Sequence, residues 1–340
     1  MKVGLIEKPG VLKIADRDAP AITKDTDVLV KIKRVGICGS DTHIFHGKNP
    51  FAVYPRVWGH EFVGEVRETG SAVRAVKKGD HVVVEPIIYC GTCYACRQGR
   101  GNVCASLQVM GVHIDGGCQE MIAVPEANCH LIPSSLPWEE AVLIEPFTIG
   151  AQACYRGNVL PGDYVFVMGA GTIGLTAAAM AKLAGGIVII SDIVPEKLDY
   201  ARSRGVDYVI NAKETDANGK VREITGGMGA NVTIDAVCSK KSFEDCIDVT
   251  SVAGRIVELS MSETASEIVP KNIMAREISI YGSRLQTRRF PVVIDYLKKG
   301  QLQLKGFVTA EYPLDKMADA FAYIDAHNDA VRKIIVKMPE

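Results

Sequence analysis

The sequence predicts an α/β protein of two domains, a β-rich first region followed by a doubly wound parallel sheet. Three observations predict it. Residues 1–147 carry short β-prone runs punctuated by Gly and Pro, with few helix-length patterns. From Asp163 onward, six apolar strand runs alternate with segments of mostly helical periodicity. The first of those runs leads into a glycine-rich turn and then a helix. At 340 residues the chain is long enough for two cores.

Composition narrows the class of function. The 39 Lys+Arg nearly balance 40 Asp+Glu, for a formal charge of −1, and 47% apolar with 23% charged residues describes a globular protein. Disorder and collagen-like repeats are excluded. With no block of five like charges, the chain offers no field for a polyanion, which argues against nucleic acid as a partner. Lys2, Glu7 and Lys8 break the first apolar run too early for a signal peptide, so the cytoplasm is expected. The uncharged stretch 165–181 is interrupted by three glycines and reads as strand, turn and buried helix rather than a membrane span. Ten cysteines without an export signal imply reduced thiols, so clustered ones are judged first as metal ligands.

In the first region, 28–33 and 81–84 read as strands. In the second, the strand runs fall at 164–168, 187–191, 207–211, 232–236, 255–259 and 278–282, and crossovers between them imply a parallel sheet. After Arg284 come amphipathic stretches at 290–299 and about 314–326, then a last strand at 332–337, too little for a separate core. This tail is assigned to the first domain, giving expected boundaries of 1–147, 148–284 and 285–340.

Residues 164–168 run into Gly169-Ala170-Gly171-Thr172-Ile173-Gly174 and then a helix, the strand, turn and helix order of a Rossmann dinucleotide site. Gly169 permits the tight turn, Gly171 lets backbone approach a pyrophosphate, and Gly174 lets helix pack on strand. Asp192 ends the second strand 18 residues after Gly174. A carboxylate there accepts from both ribose hydroxyls and repels a 2′-phosphate, so NAD is expected over NADP. An Asp that merely caps the next helix is the structural alternative.

Cys90, Cys93, Cys96 and Cys104 form C-x2-C-x2-C-x7-C in a Gly-rich segment. Four thiolates satisfy tetrahedral Zn²⁺ with no open position, the mark of a structural site. Disulfides are the alternative, but cysteines three apart pair poorly with one another and the expected compartment is reducing. Arg97 and Arg100 beside them read as solvated loop charges. A second constellation is dispersed, comprising Cys38-Gly39-Ser40-Asp41-Thr42-His43, Gly59-His60-Glu61 and Glu145-Pro146. Each part alone is as well explained by packing.

Taken in chain order with the cysteine loop and the glycine turn, these motifs resemble the zinc-dependent medium-chain dehydrogenase/reductase superfamily over essentially the full length. Within it the sequence is most similar to the sorbitol and threonine dehydrogenase branch, and especially to hexonate 5-dehydrogenases acting on L-galactonate or L-gulonate. Residues 54–60, 111–117, 144–149 and 282–286 carry that narrower likeness. The resemblance implies a GroES-like catalytic domain, a Rossmann domain with a cleft between them, NAD, and two zinc ions per chain.

By the same likeness Cys38 and His60 ligate a catalytic zinc, with Glu61 and Glu145 as candidates for the remaining protein positions. A thiolate and both carboxylates together would over-neutralise the dication, so one glutamate is expected to exchange, Glu145 rather than Glu61. Ser40 and His43 match the family's proton relay, although either side chain also suits a turn. Oxidation of a secondary alcohol to a ketone, with NAD⁺ taking the hydride, is the implied reaction.

Specificity is thinner in the sequence. Arg284 matches an arginine that contacts polyol oxygens, and its guanidinium suits a carboxylate, which favours a hexonate oxidised at C5 over neutral polyols such as sorbitol, with threonine third. Arg288 and Arg289 read as surface charge or an oligomer contact. From other classes, a non-catalytic zinc and NAD-binding protein and a zinc-free quinone reductase both predict no metal at Cys38 and His60. The sixth strand is free to pair across a two-fold axis, and relatives form dimers or tetramers.

Overall fold

The computed structural model describes residues 1–327 and 329–340. The chain divides into two compact units, Met1–Glu145 with Gln303–Glu340, and Pro146–Leu302.

The first unit opens with β1 (Lys2–Lys8), β2 (Val11–Asp16) and the long β3 (Asp27–Ile37), then helix α1 (Gly39–Phe45). There follow β4 (Arg56–Val57), β5 (Glu61–Thr69), β6 (His81–Val84) and β7 (Ile87–Ile88). The short helix α2 (Tyr94–Arg97) precedes β8 (Gln108–Val109), β9 (Met121–Pro125), β10 (Cys129–Leu131) and α3 (Trp138–Ala141). β3 is rich in Val and Ile and is buried along most of its length because it has a neighbour on each edge. β5 lines one edge throughout, while β9 covers Asp27–Lys31 on the other. The core under this sheet includes Val35, Trp58, Phe62 and Val83, all with no exposed surface.

The second unit begins in α4 (Ile144–Arg156), whose first two residues belong to the first unit. Strands and helices then alternate: β11 (Tyr164–Met168), α5 (Thr172–Leu183), β12 (Ile187–Asp192), α6 (Pro195–Ser203), β13 (Tyr208–Asn211), α7 (Ala217–Ile224), β14 (Ala230–Asp235), α8 (Lys240–Val249) and β15 (Thr250–Glu258). A short α9 (Pro270–Met274), β16 (Ser279–Gly282) and α10 (Phe290–Lys298) complete it. The six strands are all parallel in the order β13-β12-β11-β14-β15-β16, the doubly wound sheet expected from the alternating pattern. Phe166, Ile189, Ile210, Val221 and Ile256 gather in one of its cores.

The chain returns to the first unit with β17 (Ala310–Pro313), α11 (Met317–Ala326) and β18 (Ile334–Lys337). β18 takes the remaining edge of β3 over Arg34–Ile37, giving the order β10-β6-β5-β3-β18-β17. The expected return at residue 285 is corrected to 303, since α10 stays with the second unit. Its preceding loop is pinned to α4, where Gln152 Oε1 accepts from the Thr287 N–H at 3.3 Å and the Arg289 guanidinium lies 4.3 Å over the Tyr155 ring. Phe290, Val293 and Ile294 are buried. Among the described residues no helix is long and apolar enough to cross a membrane.

Candidate metal centres and dinucleotide site

The end of β3 and the start of β5 are antiparallel neighbours, with Gly36 opposite Glu61. This register alone brings Cys38, just past β3, beside His60, just before β5. Ligand atoms of Cys38, His60 and Glu61 all lie within 4.8 Å of one another, and His60 and Glu61 are buried. Gly59 turns into the site at φ +93°, where a Cβ would also meet Val35 at 2.5 Å.

Cys38 is the N-cap of α1, and its N–H donates to Asp41 Oδ2 at 2.8 Å. The other oxygen of the fully buried Asp41 faces His60 Nδ1 at 3.4 Å, and neither of those two buried atoms has a hydrogen-bond partner. With Nδ1 turned to the carboxylate, Nε2 is the nitrogen left for a metal, the arrangement by which an outer carboxylate orients a ligating imidazole. Burial works against a charged imidazole, but Asp41 and then Cys38 outweigh it and hold the His60 pKa well above its ordinary value. The negative field that holds this proton would attract a metal cation in its place.

Glu145 lies outside the converging trio. It is buried in the first turn of α4, and its carboxyl feels His60, Glu61, Lys333 and Asp41. Burial is the main cause that raises its pKa, to about 8, with attraction from His60 opposing. Ser40 Oγ is 3.4 Å from His60 Nε2, and His43 is exposed on α1.

Reading the sequence alone misses two residues here. Asp41 could have been found as the fourth residue of a capping pattern that begins at Cys38. Lys333, whose Nζ sits 2.7 Å from both Glu61 oxygens, had no local signal, since its partner is 272 positions away.

The four-cysteine loop closes on itself. Cys93 Sγ is 3.5 Å from Cys96 Sγ and 3.9 Å from Cys104 Sγ, and Cys104 Sγ is 3.4 Å from Cys90 Sγ. Four sulfurs bonded to one zinc stand about 3.8 Å apart if each Zn–S bond is about 2.3 Å, so the spacing fits the ion. These separations are too long for disulfides, and all four thiols are free. Backbone N–H groups stabilise thiolates here: the donors at Thr92 and Cys93 bring Cys90 down to about 5, whereas burial pushes Cys96 up to about 12.

In the second unit, the glycine turn sits at the C-terminal end of β11, between β12 and β14, where the strand order reverses. Gly169 has φ +93°, and a Cβ at Gly174 would stand 1.8 Å from the Gly169 carbonyl oxygen. Gly171 caps α5 with no side chain, and nothing lies within 4 Å of where its Cβ would be. Open space in front of the first turn of α5 is the cradle a pyrophosphate needs.

Asp192 Oδ2 accepts from the Ala170 N–H at 2.7 Å, and Oδ1 accepts from the N–H groups of Ile193 and Val194. Three of about four acceptor positions are thus used in ordering the turn. Arg284 is exposed in the loop after β16, which holds Leu285 and Arg288 at positive φ and is fastened by buried Gln286 accepting from the Arg289 N–H at 2.9 Å. Arg289 is therefore a fixed part of the loop, and Arg284 and Arg288 are exposed on it.

Comparison with known proteins agrees with this geometry. The alcohol dehydrogenase GroES-like domain family matches residues 24–134, and the zinc-binding dehydrogenase family matches residues 172–299. A crystal structure described as a short chain alcohol dehydrogenase (rspB) from Escherichia coli CFT073, complexed with NADH, has a TM-score of 0.93 at 38% identity and covers 99% of each chain. L-galactonate-5-dehydrogenase of Escherichia coli (strain K12) is 34% identical over 328 residues, covering 94% of each chain. Sorbitol dehydrogenase of Bacillus subtilis (strain 168) is also 34% identical over 328 residues, covering 94% of this chain and 92% of its own. Full-length likeness, both matched families, two clusters of metal-ligating side chains and a dinucleotide turn make the chain a member of the zinc-dependent medium-chain dehydrogenase/reductase superfamily, oxidoreductases of CH–OH donors with zinc and NAD as expected cofactors.

Proposed function

We propose that the protein oxidises the C5 secondary alcohol of a hexonate of the L-galactonate or L-gulonate type to the keto acid, with NAD⁺ as acceptor. The observation that carries the oxidoreductase reading is the convergence of Cys38, His60 and Glu61 in a chain that also bears the glycine turn. When bound, zinc supplies a Lewis acid for the substrate oxygen and NAD⁺ supplies the hydride acceptor. Cys38 and His60 would hold the catalytic zinc, with Glu61 and Glu145 as the carboxylates of that centre. The four cysteines at 90, 93, 96 and 104 would hold the second, structural zinc.

The chain's own groups account for the proton. Ser40, 3.4 Å from His60 Nε2, would take the hydroxyl proton, and the exposed His43 would release it to solvent. Thr172, Ile173 and the glycines at 169, 171 and 174 would seat the pyrophosphate, and Asp192 would meet the ribose while disfavouring a 2′-phosphate. Arg284 would hold the substrate carboxylate, a planar anion that a guanidinium fits with two hydrogen bonds. Likeness to L-galactonate-5-dehydrogenase supports the hexonate, whereas equal identity to sorbitol dehydrogenase favours a neutral polyol as the second reading. Threonine ranks third.

We expect a homodimer or homotetramer in the cytoplasm, where ten free thiols persist, with β16 at the edge of its sheet available for pairing. The test is NADH release by the purified protein over hexonates, polyols and threonine. The hexonate reading predicts the highest kcat/KM on an aldonate, with KM rising about tenfold or more in Arg284→Ala. Sorbitol turnover far above every hexonate overturns the substrate, and no turnover of any alcohol, with one zinc per chain, overturns the reaction.

A further inference from the structure

Three strands of the first unit meet where the metal ligands gather. β18 runs along the end of β3 with Ile335 opposite Gly36, and β5 runs along the other edge with Glu61 opposite the same glycine. Lys333, the residue before β18, reaches across β3 to the Glu61 carboxylate. Its Nζ lies 2.7 Å from Oε1, 2.7 Å from Oε2 and 3.3 Å from the Ile37 carbonyl oxygen. Gly36 is what leaves room for that meeting, because a Cβ there would stand 2.1 Å from Glu61 Oε2.

The pair is almost completely buried, at 2% and 1% exposure. Taking two charges out of water costs more than their attraction reliably returns, and apolar side chains of similar size would serve stability as well. Stability alone therefore does not account for it. A terminal carboxylate torsion is otherwise broad, so contact with both oxygens fixes its plane and direction. The pair also changes the charge count at a metal site. A thiolate and one carboxylate cancel a dication, and the added ammonium restores one positive charge.

We propose that Lys333, admitted by the gap at Gly36, is a positioning residue for the metal centre: it presets Glu61 beside Cys38 and His60 and offsets its charge, making Glu61 the standing carboxylate and Glu145 the exchanging one. The inference rests on reading Cys38, His60 and Glu61 as the catalytic metal site. Outer partners of this kind act on metal affinity through the ligand they hold.

The test is Co²⁺ binding, followed by visible absorption, with zinc retained in the four-cysteine loop. Wild type, Glu61→Gln, Glu145→Gln, Lys333→Met and the Lys333→Met/Glu61→Gln pair are compared. Lys333→Met and Glu61→Gln should each weaken Co²⁺ by about 10- to 100-fold and shift the bands, and Glu145→Gln should weaken it less than Glu61→Gln does. The double variant should bind no more weakly than Glu61→Gln alone, since the lysine acts through the glutamate. Should Lys333→Met leave an uncompensated buried carboxylate and fail to fold, the neutral double variant still closes the comparison with Glu61→Gln. Wild-type affinity and spectrum in Lys333→Met, losses that multiply in the double variant, or a greater loss in Glu145→Gln than in Glu61→Gln overturns the inference. No Co²⁺ uptake by wild type overturns the metal-site reading itself.

Discussion

Glu145 shows how burial, helped by a neighbouring carboxylate, changes what one side chain does. Taken out of water in the first turn of α4, its carboxyl keeps a proton up to about pH 8, mainly because the charged form is desolvated and then because Glu61 is near, with His60 opposing. In protein stripped of metal this makes a pH-dependent stability with a definite sign. The folded pKa is raised from its ordinary value of 4.5, so the folded state binds the proton more tightly than the unfolded chain, and stability falls as pH rises from about 4.5 through about 8. Thermal melts of the chelated protein across that range should show a declining Tm, and Glu145→Gln should flatten the decline. A profile of equal slope in the variant would place the titration elsewhere.

At the scale of elements, the loop from Cys90 to Cys104 and the turn from Gly169 to Gly174 have one thing in common. Each packs its chemistry into a few consecutive positions, so spacing was enough to read it. Three thiols at intervals of three around α2 converge because the loop turns on itself, and the glycines are required by clearances that the structure puts at 1.8 Å at Gly174. Cys104→Ser should reduce zinc from two per chain to one and lower Tm by more than about 5 °C, measured by metal analysis and calorimetry, because structural zinc contributes folding energy directly. Unchanged zinc content would separate this loop from metal binding.

Other elements gave only half of their placement away. The amphipathic pattern of α10 shows that Phe290, Val293 and Ile294 are buried but not against what, and contacts from Gln152 and Tyr155 decide that it stays with the second unit. Glu61 was visible beside His60, yet its salt bridge to Lys333 depends on β18 docking along β3, a pairing that no window of sequence contains. Asp41 lies between, foreshadowed by capping chemistry but placed against His60 only by the fold.

In the whole molecule, the two units divide the work of an oxidoreductase. Met1–Glu145 with Gln303–Glu340 carries the two side-chain clusters that, among the described residues, could hold a metal ion, and Pro146–Leu302 carries the glycine turn and Asp192. The first unit is discontinuous in sequence and depends on its return segment. A chain stopped after Arg332 lacks β18, leaving one edge of β3 bare from Arg34 to Ile37 and β17 without its partner. Its soluble yield should fall sharply, with any soluble fraction retaining no metal at Cys38 and His60. Full solubility with two zinc ions per chain would show that the return segment is dispensable.

The insertion of β18 between β3 and β17 also sets an order of events during synthesis. Cys38, His60, Glu61 and Glu145 emerge from the ribosome long before Lys333, the partner of Glu61. A nascent polypeptide can finish its cysteine loop and its entire second unit while the first unit still waits with a gap in its sheet. If Lys333 seats Glu61 as proposed, that centre is expected to reach full affinity for a metal ion only once translation has delivered the final strand.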